Sequence, residues 1–180
     1  NGFGRIGRCI LRAWLKRGGK DIEWAGVNDL TDAATLAHLL KYDSNFGVLP
    51  EEVEANKQHL IVGGRKIKVF SERDPAKLPW KEEKVDLVLE CTGLFRKRDE
   101  AAVHLKSGAK KILVSAPSDG ADLTVAYGVN HQAYDPKKHD VLSNASCTTN
   151  CLAPIAHVLD DEFGVVRGLM TTVHSYTNDQ

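Results

Sequence analysis

Two side chains in this sequence have the chemistry and setting for nucleophilic catalysis. Cys147 lies in the polar stretch Ser143-Asn144-Ala145-Ser146-Cys147-Thr148-Thr149-Asn150-Cys151, between an expected strand and an expected helix. In the first turn of that helix a thiol meets the positive end of the helix dipole, which favours thiolate over thiol. The hydroxyls of Ser146 and Thr148, with the unbonded N–H groups of the same turn, can hold an anion. The competing reading of Cys147 is a small buried residue. Cys151, one turn on, is expected to pack in the core. No metal is expected, because Cys147 and Cys151 have no further ligands nearby. His174 follows the apolar run Val165–Val173, where a strand opens into a polar segment. An imidazole there is placed to take a thiol proton, or simply to sit at the surface or cap the strand. The other six histidines (His38, His59, His104, His131, His139 and His157) have no identifiable partner and read as structural or solvated.

A second chemistry belongs to Gly2-Phe3-Gly4-Arg5-Ile6-Gly7, a GxGxxG pattern. Its glycines permit a tight turn and close approach of backbone to a pyrophosphate, and the helix that follows offers free N–H groups to that anion. A glycine-rich turn before a helix is the alternative. Asp29 stands 29 − 7 = 22 residues after Gly7, near the spacing at which an acidic residue binds the ribose hydroxyls of a dinucleotide. Its competing role is a turn or cap residue. A carboxylate there repels a 2′-phosphate, and its neighbour Leu30 is apolar, so NAD is favoured over NADP.

These groups need a scaffold of alternating strands and helices. The spacing predicts a helix over Gly7–Arg17 with Ile10, Ala13 and Trp14 on its inner face, stopped by Gly18-Gly19. A strand is expected over Ile22–Asn28, then a helix over Asp32–Lys41 with Leu36, Leu39 and Leu40 inward. Gly63-Gly64 joins Leu60–Val62 to Lys66–Phe70 as a hairpin. Val85–Leu89 reads as a strand buried on both faces, followed by a helix near Asp99–Lys106. Further strands are expected at Ile112–Val114, Leu123–Tyr127, Val141–Leu142 and Val165–Val173, and a helix at Ser146–Asp161. Such alternation implies a mostly parallel α/β sheet with right-handed crossovers, with 85–89 and 112–114 central.

Composition narrows the partners. Lys+Arg and Asp+Glu both number 24, for zero net charge, so the basic surplus of a nucleic-acid binder is missing. Lys137-Lys138-His139 reads as a solvated loop. No apolar run has the length of a membrane span, and no signal peptide is visible. Four cysteines without a CxxC pair fit a reducing, intracellular setting. The sequence begins inside the glycine motif, ahead of which a strand is expected, and is read as a fragment of a longer protein.

Together these motifs resemble the glyceraldehyde-3-phosphate dehydrogenase family. Asn1–Arg8 is similar to its opening signature, Ser143–Pro154 (SNASCTTNCLAP) to its active-site signature, and Thr171–Gln180 to its histidine segment. Leu39–Ser44, Glu72–Pro75, Glu90–Gly93 and Ser115–Pro117 match in the same order, so the resemblance spans essentially the whole chain. It implies Cys147 as the nucleophile that forms a thiohemiacetal and then a thioester, and His174 as its base. It implies Ser146 and Thr148 as ligands of inorganic phosphate, and Thr177 as a ligand of the phosphate carried by glyceraldehyde 3-phosphate. Arg5, Ile6, Asp29, Arg73 and Ser115 match the family's NAD contacts, beside Gly2, Gly4 and Gly7.

The fold expected from the resemblance is α/β. A Rossmann-type, mostly parallel, doubly wound NAD-binding domain covers 1–146, lacking its first strand and final helix. The start of an α+β catalytic domain follows at 147–180. The family is typically a cytoplasmic homotetramer of glycolysis and gluconeogenesis. The isolated 180 residues are expected to be inactive. Two other functions share parts of the pattern: erythrose-4-phosphate dehydrogenase, in which water opens the thioester, and a non-enzymatic nucleotide- or RNA-binding module.

Overall fold

The computed structural model describes residues 1–176; Thr177 lies outside them. In chain order the elements are α1 (Arg5–Lys16), β1 (Gly26–Asn28), α2 (Ala33–Lys41), β2 (Tyr42–Asp43), β3 (Gly47–Val48), β4 (Val53–Ala55), β5 (His59–Val62), β6 (Arg65–Phe70), β7 (Leu87–Glu90), α3 (Arg98–Ala101), α4 (Val103–Lys106), β8 (Lys111–Val114), β9 (Leu123–Thr124), β10 (Val141–Ser143) and α5 (Cys147–Phe163).

Two four-stranded sheets carry the chain. One has the order β1-β6-β5-β4, and the other, entirely parallel, the order β7-β8-β10-β9. In the first, β1 pairs parallel with β6, while β5 pairs antiparallel with both β4 and β6. The β5–β6 hairpin turns on Gly63 and Gly64, with φ of 53° and 77°. Positive φ at both central residues is the condition for the turn that matches strand twist. The second sheet places β8 in its interior, as expected for 112–114, but β7 at its edge, where 85–89 was also expected to be central. Asn1 and Gly2 lie at the seam between the sheets. Asn1 N donates to Leu89 O at 2.9 Å, Cys91 N donates to Asn1 O at 2.8 Å, and Gly2 N donates to Asn28 O at 2.8 Å. The dinucleotide motif therefore starts between the C-terminal ends of β1 and β7, where parallel sheets of this kind bind ligands.

The first core joins Phe3, Leu11, Leu36, Leu40, Leu60 and Ile67, each no more than 2% exposed. A second cluster packs Trp80 and Val88, and a third packs Ala101, Ile112, Val114 and Val141. Asp32 caps α2 by accepting from Thr35 N at 2.9 Å, which is how the expected start of that helix is realised.

Several expectations are corrected. The buried residues of α1 are Gly7, Leu11 and Leu15; of the expected face, Trp14 packs partly buried against the first core, Ile10 is half-buried and Ala13 is exposed. Gly7 leaves no room for a Cβ against the Gly2 carbonyl, so this face of the helix lies close to the glycine turn. In α2 the buried residues are Ala33, Leu36, Ala37 and Leu40, while Leu39 is exposed. Ile22 is exposed and β1 begins only at Gly26, because its ladder with β6 covers three residue pairs. Leu87 is exposed, so β7 is not buried on both faces throughout. Residues 165–173 form no strand, since an extended segment without a hydrogen-bonded neighbour is not held as one. Cys151 is exposed: no residue of α5 is buried among the described residues.

Candidate active site

The loop from β10 to α5 is built by local polar bonds. Ser143 Oγ donates to Ala116 O at 2.8 Å and accepts from Ala145 N at 3.1 Å. Ala145 then adopts φ 57°, a left-handed conformation that is costly for a residue with a Cβ. Asn150 Nδ2 clasps the turn from inside the helix, donating to Asn144 O at 2.7 Å and to Ser146 O at 2.9 Å. Ser146 is the N-cap of α5, its Oγ accepting from Thr149 N at 2.9 Å. The consequence is that Cys147 is the first residue of a 17-residue helix, at its electropositive end.

His174 approaches from the other side of the site. Its Nε2 is 3.1 Å from Cys147 Sγ, and its Nδ1 is 2.6 Å from Ser175 O. A carbonyl only accepts, so Nδ1 carries a proton and Nε2 faces the sulfur. The His174 hydrogen bond holds the Cys147 thiol below its ordinary pKa, reinforced by the N–H and hydroxyl of Thr148. His174 is raised in turn, first by its bond to Cys147 and then by Ser175 O. These opposite shifts favour a thiolate–imidazolium pair.

The glycine motif forms the other half of the site. Gly2, at φ +83°, fits because a Cβ there would stand 2.8 Å from Cys91 C and Thr92 N, and a Cβ on Gly7 would collide with the Gly2 carbonyl. Gly4, the N-cap of α1, faces open space, the gap a pyrophosphate needs to reach the helix N–H groups. Asp29 Oδ2 accepts from Phe3 N at 2.8 Å and Oδ1 from Thr31 N at 3.0 Å. It is thus a turn residue and a tie to the glycine loop, and lone pairs remain on both oxygens for ribose hydroxyls. Arg5 is exposed and pairs with Asp43 at 3.5 Å. Ile6 is exposed on the same turn, and Arg73 is exposed beyond β6.

A cleft of about 310 Å³ joins the two halves. Ile6, Leu89, Cys91, Ser115, Asn144 and Cys147 are among its lining residues. Ser115, at the end of β8, thus shares a wall with the thiol. The donor groups and open approach at Gly4, the carboxylate of Asp29 and this cleft fit a dinucleotide laid from the glycine turn toward the sulfur.

Sequence reasoning missed a buried polar network behind the cleft. Glu90, His104 and Trp80 are each no more than 2% exposed. Trp80 Nε1 donates to His104 Nδ1 at 3.0 Å, and His104 Nε2 lies 2.9 Å from Glu90 Oε2. The available signal was an acidic residue ending an apolar strand, which burial makes costly unless it is fully bonded. Asn150 was missed likewise, because its partners are backbone carbonyls.

Among the described residues no group of three or more His, Cys, Asp or Glu could hold a metal ion, and no helix is long and apolar enough to cross a membrane.

A dinucleotide-binding α/β domain whose cleft ends on a cysteine–histidine pair defines the class. Residues 1–98 match the family description "Glyceraldehyde 3-phosphate dehydrogenase, NAD binding domain", and residues 146–180 match its "C-terminal domain". The chain belongs to the glyceraldehyde-3-phosphate dehydrogenase family, and its cofactor is NAD. Over all 180 residues it is 62% identical to "Glyceraldehyde-3-phosphate dehydrogenase" of Geobacillus stearothermophilus, of which it covers 53%. It is 58% identical to "Glyceraldehyde-3-phosphate dehydrogenase 1" of Bacillus subtilis, covering 53%, and 55% identical to the enzyme so named from Thermotoga maritima, covering 54%. The chain spans about half the length of the curated relatives it matches.

Proposed function

We propose that the full-length protein oxidises glyceraldehyde 3-phosphate, with NAD and inorganic phosphate, to 1,3-bisphosphoglycerate and NADH. The observation that carries this is the 3.1 Å contact between Cys147 Sγ and His174 Nε2, at the end of the cleft that begins under the glycine helix. The thiolate attacks the aldehyde carbon, and the His174 imidazolium gives a proton to the developing oxygen, closing a thiohemiacetal. His174, now neutral, takes that proton back as the carbon is oxidised to a thioester. When bound, NAD supplies the acceptor for the hydride that leaves this carbon. Phosphate oxygen then attacks the thioester carbonyl, the C–S bond breaks and the thiolate returns. Ser146, Thr148 and the open N–H groups of α5 bind that phosphate, and Thr177 binds the one on the substrate. Gly2, Gly4, Arg5, Ile6, Gly7, Asp29, Arg73 and Ser115 hold the cofactor.

The nucleotide-binding unit extends over 1–146 and the catalytic unit opens at Cys147. A cytoplasmic homotetramer is the working form that the family resemblance implies. The test is NADH formation by the full-length protein with and without phosphate, beside Cys147→Ser. Turnover that requires phosphate and disappears in the variant is expected. Sustained turnover without phosphate would replace this reading with a hydrolytic one.

A further inference from the structure

The chain Trp80–His104–Glu90 does not end at Glu90. An indole N–H only donates, so His104 Nδ1 must be its acceptor. The remaining ring proton is on Nε2 and points at Glu90 Oε2, 2.9 Å away. His104 is therefore neutral and Glu90 ionised. Burial pushes the Glu90 carboxyl up, but hydrogen bonds from His104, Asn1 and Thr92 outweigh it and leave it below its ordinary range.

The other bonds of this carboxylate run to the cofactor loops. Glu90 Oε2 also accepts from Asn1 Nδ2 at 2.7 Å, and Oε1 accepts from Thr92 N at 2.8 Å and Thr92 Oγ1 at 2.5 Å. Asn1 Oδ1 then accepts from Asn28 Nδ2 at 2.6 Å. Asn28 bonds both backbone groups of Glu72, its Nδ2 to Glu72 O and its Oδ1 from Glu72 N, each at 2.8 Å. One buried anion thus ties three backbone segments together: the start of the glycine turn, the Thr92-Gly93 turn, and the loop that carries Arg73. Gly2 has no slack against the Thr92 segment, since even a methyl group would clash there.

We propose that Glu90 is a positioning residue for NAD, fixing these three segments in the geometry that binds the dinucleotide, and that His104 acts through it from the far side of β7. The inference rests on the NAD-binding role of this domain and not on the aldehyde chemistry, so it is read by binding rather than turnover.

Glu90→Gln keeps the shape but sets an NH2 group against donors. In the full-length protein, calorimetric titration should show NAD Kd raised roughly ten- to hundredfold, the range for losing a charged hydrogen bond. KM for NAD should rise with it, while kcat at saturating NAD stays within about twofold. His104 supplies the control, because it is enclosed behind Glu90. His104→Gln can still donate to Glu90, and His104→Leu cannot, while both disturb the Trp80 bond. Both should lower Tm, but only His104→Leu should weaken NAD. Should Glu90→Gln fail to fold, the His104 pair decides alone. A folded Glu90→Gln protein with the parent Kd overturns the proposal, as do His104→Gln and His104→Leu proteins with the same Kd.

Discussion

Cys147 Sγ and His174 Nε2 are 3.1 Å apart across 27 residues of sequence, while the other ring nitrogen of His174 lies 2.6 Å from Ser175 O. The backbone carbonyl fixes which nitrogen meets the sulfur, so the pair is oriented as well as adjacent. The thiol is lowered and the imidazole raised by the same contact. Thiolate therefore persists at pH values where an ordinary thiol, with a pKa of about 8.5, is protonated.

That shift is measurable by alkylation. Iodoacetamide should modify Cys147 with a pH midpoint below that of an ordinary thiol, because the rate follows the thiolate fraction and His174 lowers the thiol. His174→Asn should move the midpoint upward, toward about 8.5. Cys147→Ser should remove the fast phase while leaving any slower reaction of exposed Cys151. Identical pH profiles for the parent and His174→Asn would contradict the pairing.

Asp29 ties the glycine loop to its own turn, and substitution can separate that duty from the proposed one toward NAD. Asp29→Asn keeps an oxygen for one of the Phe3 and Thr31 N–H groups but removes the charge. NAD affinity should fall by about tenfold, as for loss of a charged hydrogen bond, and discrimination against NADP should narrow. Titration with both dinucleotides checks this; unchanged selectivity would leave Asp29 a turn residue only.

Gly4 and Gly7 make opposite predictions within one motif. Gly7→Ala drives a methyl into the Gly2 carbonyl and should cost about 1–3 kcal/mol of stability, the range for overpacking. Gly4, at φ −70°, faces open space, so Gly4→Ala should change stability by no more than about 1 kcal/mol. It should nevertheless weaken NAD, by placing a methyl where the pyrophosphate approaches. Thermal melts and NAD titrations of the two variants separate these effects.

Much of the scaffold could be read from local pattern. The apolar spacing marked the helix over Asp32–Lys41, whose first residue proves to be its cap, and Gly63-Gly64 marked the hairpin turn. The Cys147 helix start followed from a polar run meeting an apolar one. Facing was less legible, because it depends on distant backbone. Leu11 and Leu15 are buried together with Gly7, which leaves no room for a Cβ against the Gly2 carbonyl, a close approach no periodicity records. Residues 165–173 carry strand-like composition, but pairing and not composition makes a strand. The pairing of Glu90 with His104 was not legible for a related reason. Each is ordinary alone, and their meaning appears only when the fold brings His104 of α4 against Glu90 of β7 and Trp80 fixes the tautomer.

The most direct test of the Cys147 account is to mix the full-length protein with NAD and glyceraldehyde 3-phosphate in the absence of phosphate, and to follow NADH and protein mass together. A burst of one NADH per active site is predicted, with an acyl group added to the peptide containing Cys147, discharged when phosphate is supplied. NADH formation with no acyl adduct on Cys147, continuing steadily without phosphate, would contradict it.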